Sequence, residues 1–424
     1  MLIKSCKVGF LGLSHLGIVS AISLASKQIP CVGVDLNHNL VTELNKGNWP
    51  IYEPNLSETY EKCKKFLSFT SDLNTLISCE ILYISKDIMT SEFEVSELDE
   101  IEKLIRLASK IINLECRLII LCQVPPGFTR KMRKYHKNLT YQVETLVFGQ
   151  AIKRAVNPER IIVGLDSPND SIEGLYESIL KSFSCPILTM DYESAEFTKI
   201  SINAYLAASI TTTNSLNTLA RSVGANWHLI KEALKLDRRI GEYAYLNPGL
   251  GISGGNIERD LRTLDTFSKE KLLSGTNIFF RYLENSRYQK NWVLSSIKKH
   301  ILDFNPTSKI GILGIAYKED TNSTKNSIAL EVADKYRKNL SGAYDPIAKF
   351  PSEYSHIHIF DSALDCVSKS DAIVILTPWK EFEKLDLTFE LKNRAHPLLV
   401  IDPFGIMKRD YKLANVVFIN SNEM

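Results

Sequence analysis

The apolar run Val8–Leu11 passes directly into Gly12-Leu13-Ser14-His15-Leu16-Gly17, and a second apolar run, Cys31–Val34, ends at Asp35, 18 residues after Gly17. A strand, a glycine turn, an apolar helix and a second strand make a β-α-β unit, in which the first glycine permits the tight turn and the last lets helix pack on strand. Pyrophosphate sits at the N-terminus of such a helix, and the acid closing the second strand binds a ribose hydroxyl. Gly12, Ser14, His15, Leu16, Gly17 and Asp35 are therefore the candidate cofactor-binding residues, and an acid at 35 favours NAD over NADP. Ser14 stands where the middle glycine is expected, where its hydroxyl either donates to phosphate or hinders it. A turn that packs without binding anything is the alternative reading.

The rhythm continues along the chain. Short apolar runs at 80–85 (EILYIS) and 117–122 (RLIILC) follow, and a second alternating unit begins at 309–314 (KIGILG). It runs through a helix around 328–339, then SGAYDP, SHIHIF, DAIVIL at 371–376 and PLLVID at 397–402. Short apolar strands separated by helices predict parallel sheets covered on both faces. The fold class is thus α/β, with two doubly wound parallel sheets. Between them, Glu193 to about Val223 holds neither Pro nor Gly. That stretch predicts one long helix, suited to join two domains or pair two subunits. At 424 residues the chain has room for two or three domains. The expected division is 1–192, 193–300 and 301–424.

Charge and cysteine content remove several classes of function. Lys+Arg 51 against Asp+Glu 49 leaves a formal +2 with no basic block, so neither nucleic acid nor membrane is the expected partner. Eight cysteines without a CxxC pair fit a reducing compartment, and the expected location is the cytoplasm. Lys4 and Lys7 before apolar residues up to Ala25 imitate a signal peptide, but His15 and the glycines at 9, 12 and 17 interrupt the run. No stretch approaches 18 consecutive apolar residues. His356 and His358 alternate with Ile357 and Ile359 as on the polar face of a strand, without nearby carboxylates or thiols, so no metal is expected.

Several Pro/Gly-rich loops lie beside apolar runs: Trp49-Pro50-Ile51-Tyr52-Glu53-Pro54, Gln123-Val124-Pro125-Pro126-Gly127 and Asn157-Pro158-Glu159-Arg160. Alone they are turns. More telling is the segment from Pro248 to Asp260, where Gly249, Gly251, Gly254 and Gly255 fall within seven residues. Such a backbone folds tightly around an anionic or hydroxylated ligand, or else is a flexible linker. Trp379, after the DAIVIL run, reads as core before it reads as a stacking platform.

With these pieces in order, the chain resembles the UDP-glucose/GDP-mannose dehydrogenase family from about residue 6 to about residue 403. The matching segments are VGFLGLSHLG with GVD, LNKGNWPIYEPNL, QVPPGFT, NPERIIVG, AEFTKISINAYLA, DRRIG, PGLGISGGNIERD, GIAYKEDT, YDP and ILTPWKEF. The resemblance implies an N-terminal NAD-binding Rossmann domain, a central helical domain forming a homodimer, and a C-terminal Rossmann-like domain for the nucleotide of a sugar, UDP being preferred. It carries the active-site lysine and asparagine to Lys199 and Asn203, a loop carboxylate to Glu144 and the active-site aspartate to Asp260. Arg239 would reach the substrate of the partner subunit. Gly251, Gly254 and Gly255 would cradle substrate, while Lys318 and Lys325 would meet pyrophosphate or NAD. A product feeding a surface polysaccharide is a further implication.

The departures are equally specific. The family traps an aldehyde on a cysteine in the glycine-rich loop, and that position is Asn256 here, which cannot act as that nucleophile. Gln123 replaces a threonine, Glu258 and Arg259 replace a proline and a lysine, and Lys325 replaces an arginine, losing bidentate geometry. Two readings follow. One is NAD-dependent oxidation of a nucleotide sugar without a thioester, stopping after one hydride transfer or acting on a hydrated aldehyde. The other is a catalytically silent homologue that binds nucleotide sugar as a partner or regulator.

Overall fold

A computed structural model describes residues 7–88, 98–270, 277–392, 394–407 and 416–419, with Lys4 and Cys6 outside them. The chain divides into two compact units, Met1–Ile202 and Asn203–Met424.

The first unit is built on eight strands: β1 (Val8–Leu11), β2 (Cys31–Val34), β3 (Leu67–Thr70), β4 (Ile81–Ile84), β5 (Arg117–Ile120), β6 (Leu139–Gln142), β7 (Ile161–Leu165) and β8 (Ile187–Asp191). Their order is β3-β2-β1-β4-β5-β6-β7-β8. The chain winds outward from β1 to β3 and returns to place β4 on the other side of β1. This reversal opens a crevice beyond the carboxyl ends of β1 and β4, where doubly wound sheets bind ligands. β1, β2 and β4 are buried along their whole length, which explains their unbroken apolar sequences. One expectation is corrected, since the sheet is not wholly parallel: β6 and β7 pair antiparallel, Tyr141 opposite Gly164. Only about twenty residues separate them, and they are spent on the Glu144 loop and the short helix Ala151–Val156.

The second unit carries β9 (Ile310–Leu313), β10 (Leu340–Tyr344), β11 (Ala372–Ile375), β12 (Leu398–Ile401) and β13 (Val416–Ile419), in the order β10-β9-β11-β12-β13 and parallel throughout. SHIHIF does not form the expected strand. A turn over residues 354–357 uses up its start, and pairing with β10 reduces to a single bridge at Ile359, so His356 and His358 lie in a loop.

The two sheets repeat one device. Gly12 follows β1 at φ +96, and its N–H donates to Val34 O at the end of β2 (2.9 Å). Gly314 follows β9 at φ +98, and its N–H donates to Tyr344 O at the end of β10 (2.8 Å). Each next residue, Leu13 or Ile315, donates at 2.7 Å to the aspartate closing the second strand, Asp35 or Asp345. Positive φ at both turns favours glycine over any side chain. The unbroken Glu193–Val223 stretch forms the helix Tyr192–Ser222.

Candidate functional site

In the first unit the glycine loop has the geometry of a dinucleotide turn. A Cβ at Gly17 would overlap Gly12 O, and one at Gly12 would lie 2.9 Å from Lys86 Cβ, so neither position has room for a side chain. Gly12 follows β1, and Gly17 sits in the first turn of the helix His15–Ser26. Asp35, buried, accepts Leu13 N–H on one oxygen and Asn37 N–H (2.9 Å) on the other, which leaves a lone pair on each for a ribose hydroxyl. These residues fit a dinucleotide.

Ser14 is engaged within the protein itself. Its hydroxyl accepts Asp87 N–H at 2.7 Å and donates to Ser85 O at 3.3 Å, so it laces the glycine loop to the loop after β4. His15 stacks on Phe148 with ring centroids 4.3 Å apart, and its Nε2 lies 2.9 Å from Glu53 Oε1. Glu53, from the WPIYEP loop, also accepts Gly149 N–H and Ala151 N–H at 2.8 and 2.9 Å. That proline-rich loop is therefore more than a turn, because its buried carboxylate joins the cofactor loop to the start of the helix Ala151–Val156.

Glu144 and Lys199 come together, with Lys199 Nζ 3.6 Å from Glu144 Oε2 and both side chains about one-tenth exposed. The other Glu144 oxygen accepts Leu146 N–H. One turn before Lys199, fully buried Glu196 accepts Gly127 N–H (2.5 Å) and Thr129 N–H (2.7 Å). Burial outweighs these donors and pushes its carboxyl up to about 7. Glu196 thus ties the loop beginning at Gln123, which is half-buried beyond β5, to the helix bearing Lys199.

In the second unit, Asn203 Nδ2 donates to Asp260 Oδ2 at 2.6 Å, both groups being buried. Arg259 Nε stands 3.4 Å from the other Asp260 oxygen. The glycine-rich segment is a folded cradle rather than a linker. Gly249 N–H donates to Asn214 Oδ1 (2.8 Å), Ile252 N–H to Ser286 Oγ (2.8 Å), and Asn326 Nδ2 to Gly254 O (3.0 Å). Gly251 and Gly254 have φ of +88 and +81, and a Cβ at Gly255 would meet the Lys325 stem at 2.5 Å. Lys325 therefore lies over Gly255, while Lys318 has its Nζ 5.8 Å from the Tyr317 ring centroid. Asn256 is exposed as the first residue of the helix Asn256–Glu270.

Reasoning from sequence missed Lys290. It is buried on the helix Phe279–Ile297 and pairs at 3.2 Å with Glu258, whose other oxygen accepts from Asn326 at 2.6 Å. Its spacing to buried Val293, Leu294 and Ile297 puts a cation on an apolar face, a signal that periodicity does contain. Arg239 stands apart, 89% exposed and paired with Asp237 at 2.6 Å. Trp379 is core, its indole donating to Asp345 at 3.1 Å. Among the described residues no helix is long and apolar enough to cross a membrane.

Residues 6–183, 193–284 and 311–409 match, respectively, the NAD binding domain, the central domain and the UDP binding domain of the UDP-glucose/GDP-mannose dehydrogenase family. The UDP-glucose 6-dehydrogenase of Rickettsia bellii is 26% identical, the match covering 95% of this chain and 96% of that protein. The putative UDP-glucose 6-dehydrogenase YtcA of Bacillus subtilis is likewise 26% identical over the same shares. Among solved structures, a UDP-D-ManNAc dehydrogenase from Pyrococcus horikoshii superposes with a TM-score of 0.83 at 24% identity, covering 98% of this chain and 99% of that one. A UDP-glucose dehydrogenase from Pyrobaculum islandicum gives 0.81 at 22% identity, covering 99% and 98%. Those two likenesses establish the fold, and the three consecutive domain matches establish that the chain belongs to the UDP-glucose/GDP-mannose dehydrogenase family, with NAD as its cofactor.

Proposed function

We propose that the protein oxidises a nucleotide sugar of the UDP-glucose type in a single two-electron step, without a covalent thioester. The observation that carries this reading is the absence of a usable thiol from the second unit. Position 256 is asparagine, and the only cysteine after Cys185 in the sequence is Cys366. Cys366 is fully buried, and burial pushes its thiol up to about 12, so no thiolate is at hand near neutral pH.

NAD, when bound, supplies the hydride acceptor. The chain's own groups do the rest. Gly12 and Gly17 keep the cofactor loop free of side chains, and Asp35 holds a ribose hydroxyl. Asp260, oriented by Asn203, takes the proton of the sugar hydroxyl directly or through a water as hydride leaves the carbon. Lys199, held by Glu144, stabilises the developing alkoxide. Gly251, Gly254 and Gly255, with Lys318 and Lys325, cradle the sugar nucleotide, and Gln123 and Asn256 supply neutral polar contacts where the family has threonine and cysteine. The product is an aldehyde or ketone, two hydrogens lighter than the substrate.

The three-part division at about residues 192 and 300 and a homodimer belong to the same reading, with Arg239 reaching the partner's substrate. Tyr205, Leu219, Val223, Leu229 and Leu236 are 80, 61, 78, 67 and 85% exposed along and just after the long helix, an apolar surface suited to a second copy.

Alkylation followed by assay tests the chemistry. Purified protein treated with iodoacetamide keeps full NADH formation with UDP-glucose or a related sugar. Loss of turnover in proportion to thiol modification, or no turnover with any nucleotide sugar, rejects the proposal.

A further inference from the structure

The helix His15–Ser26 has no N-terminal cap of its own. Ser14 makes no side-chain bond to it, and its first turn holds no acid. The acceptor comes from another strand: Asp87, just past β4, takes Leu16 N–H on its Oδ2 at 3.2 Å. Leu16 is the second residue of this helix, so its N–H is among those left without an intrahelical partner.

Asp87 is fixed there from both sides. Its own N–H donates to Ser14 Oγ, and the preceding Lys86 backbone N would lie 3.1 Å from a Cβ on Gly12. Among the described residues no lysine or arginine pairs with Asp87, since neighbouring Lys86 turns to Glu100 at 3.5 Å. An unneutralised carboxylate thus stands at the positive end of the helix, where a dinucleotide places its pyrophosphate.

We propose that Asp87 sets cofactor affinity: its carboxylate holds the pyrophosphate position in the free protein, and NAD binds by displacing it. Ser14, in the place of the middle glycine, is the group that keeps Asp87 there. Cofactor and carboxylate compete for the same N–H and the same helix end, and their like charges repel within a few ångström. That repulsion weakens binding by about 10- to 100-fold. The inference rests on NAD binding by this domain and not on the proposed oxidation.

Calorimetric titration of the full chain with NAD and with ADP-ribose tests it, comparing wild type, Asp87→Asn, Asp87→Ala and Glu80→Gln. Asp87→Asn keeps the shape and an oxygen for Leu16 N–H while removing the charge. Glu80→Gln changes net charge equally at the other end of β4, where Glu80 pairs with Lys7. Both Asp87 variants should bind NAD and ADP-ribose at least about tenfold more tightly than wild type, with Glu80→Gln unchanged. The proposal is overturned if Asp87→Asn binds no more tightly than wild type, undetectable binding by both included. Equal tightening in Glu80→Gln overturns it as well.

Discussion

Asn203 donates a 2.6 Å hydrogen bond to Asp260 across 57 residues of sequence, with both side chains buried. The bond fixes which Asp260 oxygen is occupied, leaving the other oxygen toward Arg259. Under the proposed function Asp260 is the base, and a base aimed in this way contributes to rate without contributing to cofactor binding. Asn203→Leu should therefore lower kcat by about 100-fold or more while the Kd for NAD stays within about twofold. Steady-state kinetics with parallel titration measure both, and an unchanged kcat contradicts the assigned role.

Lys290 and Glu258 predict a different failure. Removing one member of a buried ion pair strands the other charge, so Lys290→Met should cost about 3–5 kcal/mol in denaturant unfolding. The double variant Lys290→Met with Glu258→Gln should recover more than half of that loss, because it strands no charge and Asn326 still donates to the oxygen that the neutral amide keeps. Additive losses in the double variant would show that the two do not act as a pair.

Glu196 makes stability depend on pH. Burial raises its carboxyl from the ordinary 4.5 to about 7, so the folded chain holds the proton more tightly than the unfolded chain. Its contribution is complete below about pH 4.5 and is lost as pH rises through about 7. Relative to Glu196→Gln, wild type should lose up to about 3 kcal/mol across that window. Unfolding measured at intervals from pH 4.5 to pH 7.5 checks it, and a constant difference between the two proteins contradicts the shift.

The exposed apolar residues along the long helix predict assembly. Leu219→Asp with Leu229→Asp should halve the mass seen by light scattering while leaving far-ultraviolet circular dichroism unchanged. A wild type that is already monomeric at tens of micromolar removes the basis for a homodimer.

The parts legible in the sequence were those set by local backbone demands. Gly12 and Gly314 need positive φ, strands buried on both faces need unbroken apolar runs, and a stretch without Pro or Gly propagates as one helix. What stayed hidden depends on distant partners. The Ser14–Asp87 contact spans 73 residues, Lys290–Glu258 spans 32 and Glu53–Gly149 spans 96, and although periodicity marks Lys290 on an apolar face, no local pattern names the partner in any of these pairs. SHIHIF shows the opposite error, since alternation satisfied the period of a strand although a turn over its first residues prevents the ladder from forming. Position 256 is legible as asparagine, whereas the burial of Cys366 is visible only in the folded chain.

The number of NADH molecules formed per nucleotide sugar consumed, with the mass of the sugar product, tests the central claim most directly. One NADH and a product two mass units lighter are expected. Two NADH with a carboxylate product, or none with every sugar alongside clear NAD binding, would contradict a single non-covalent oxidation.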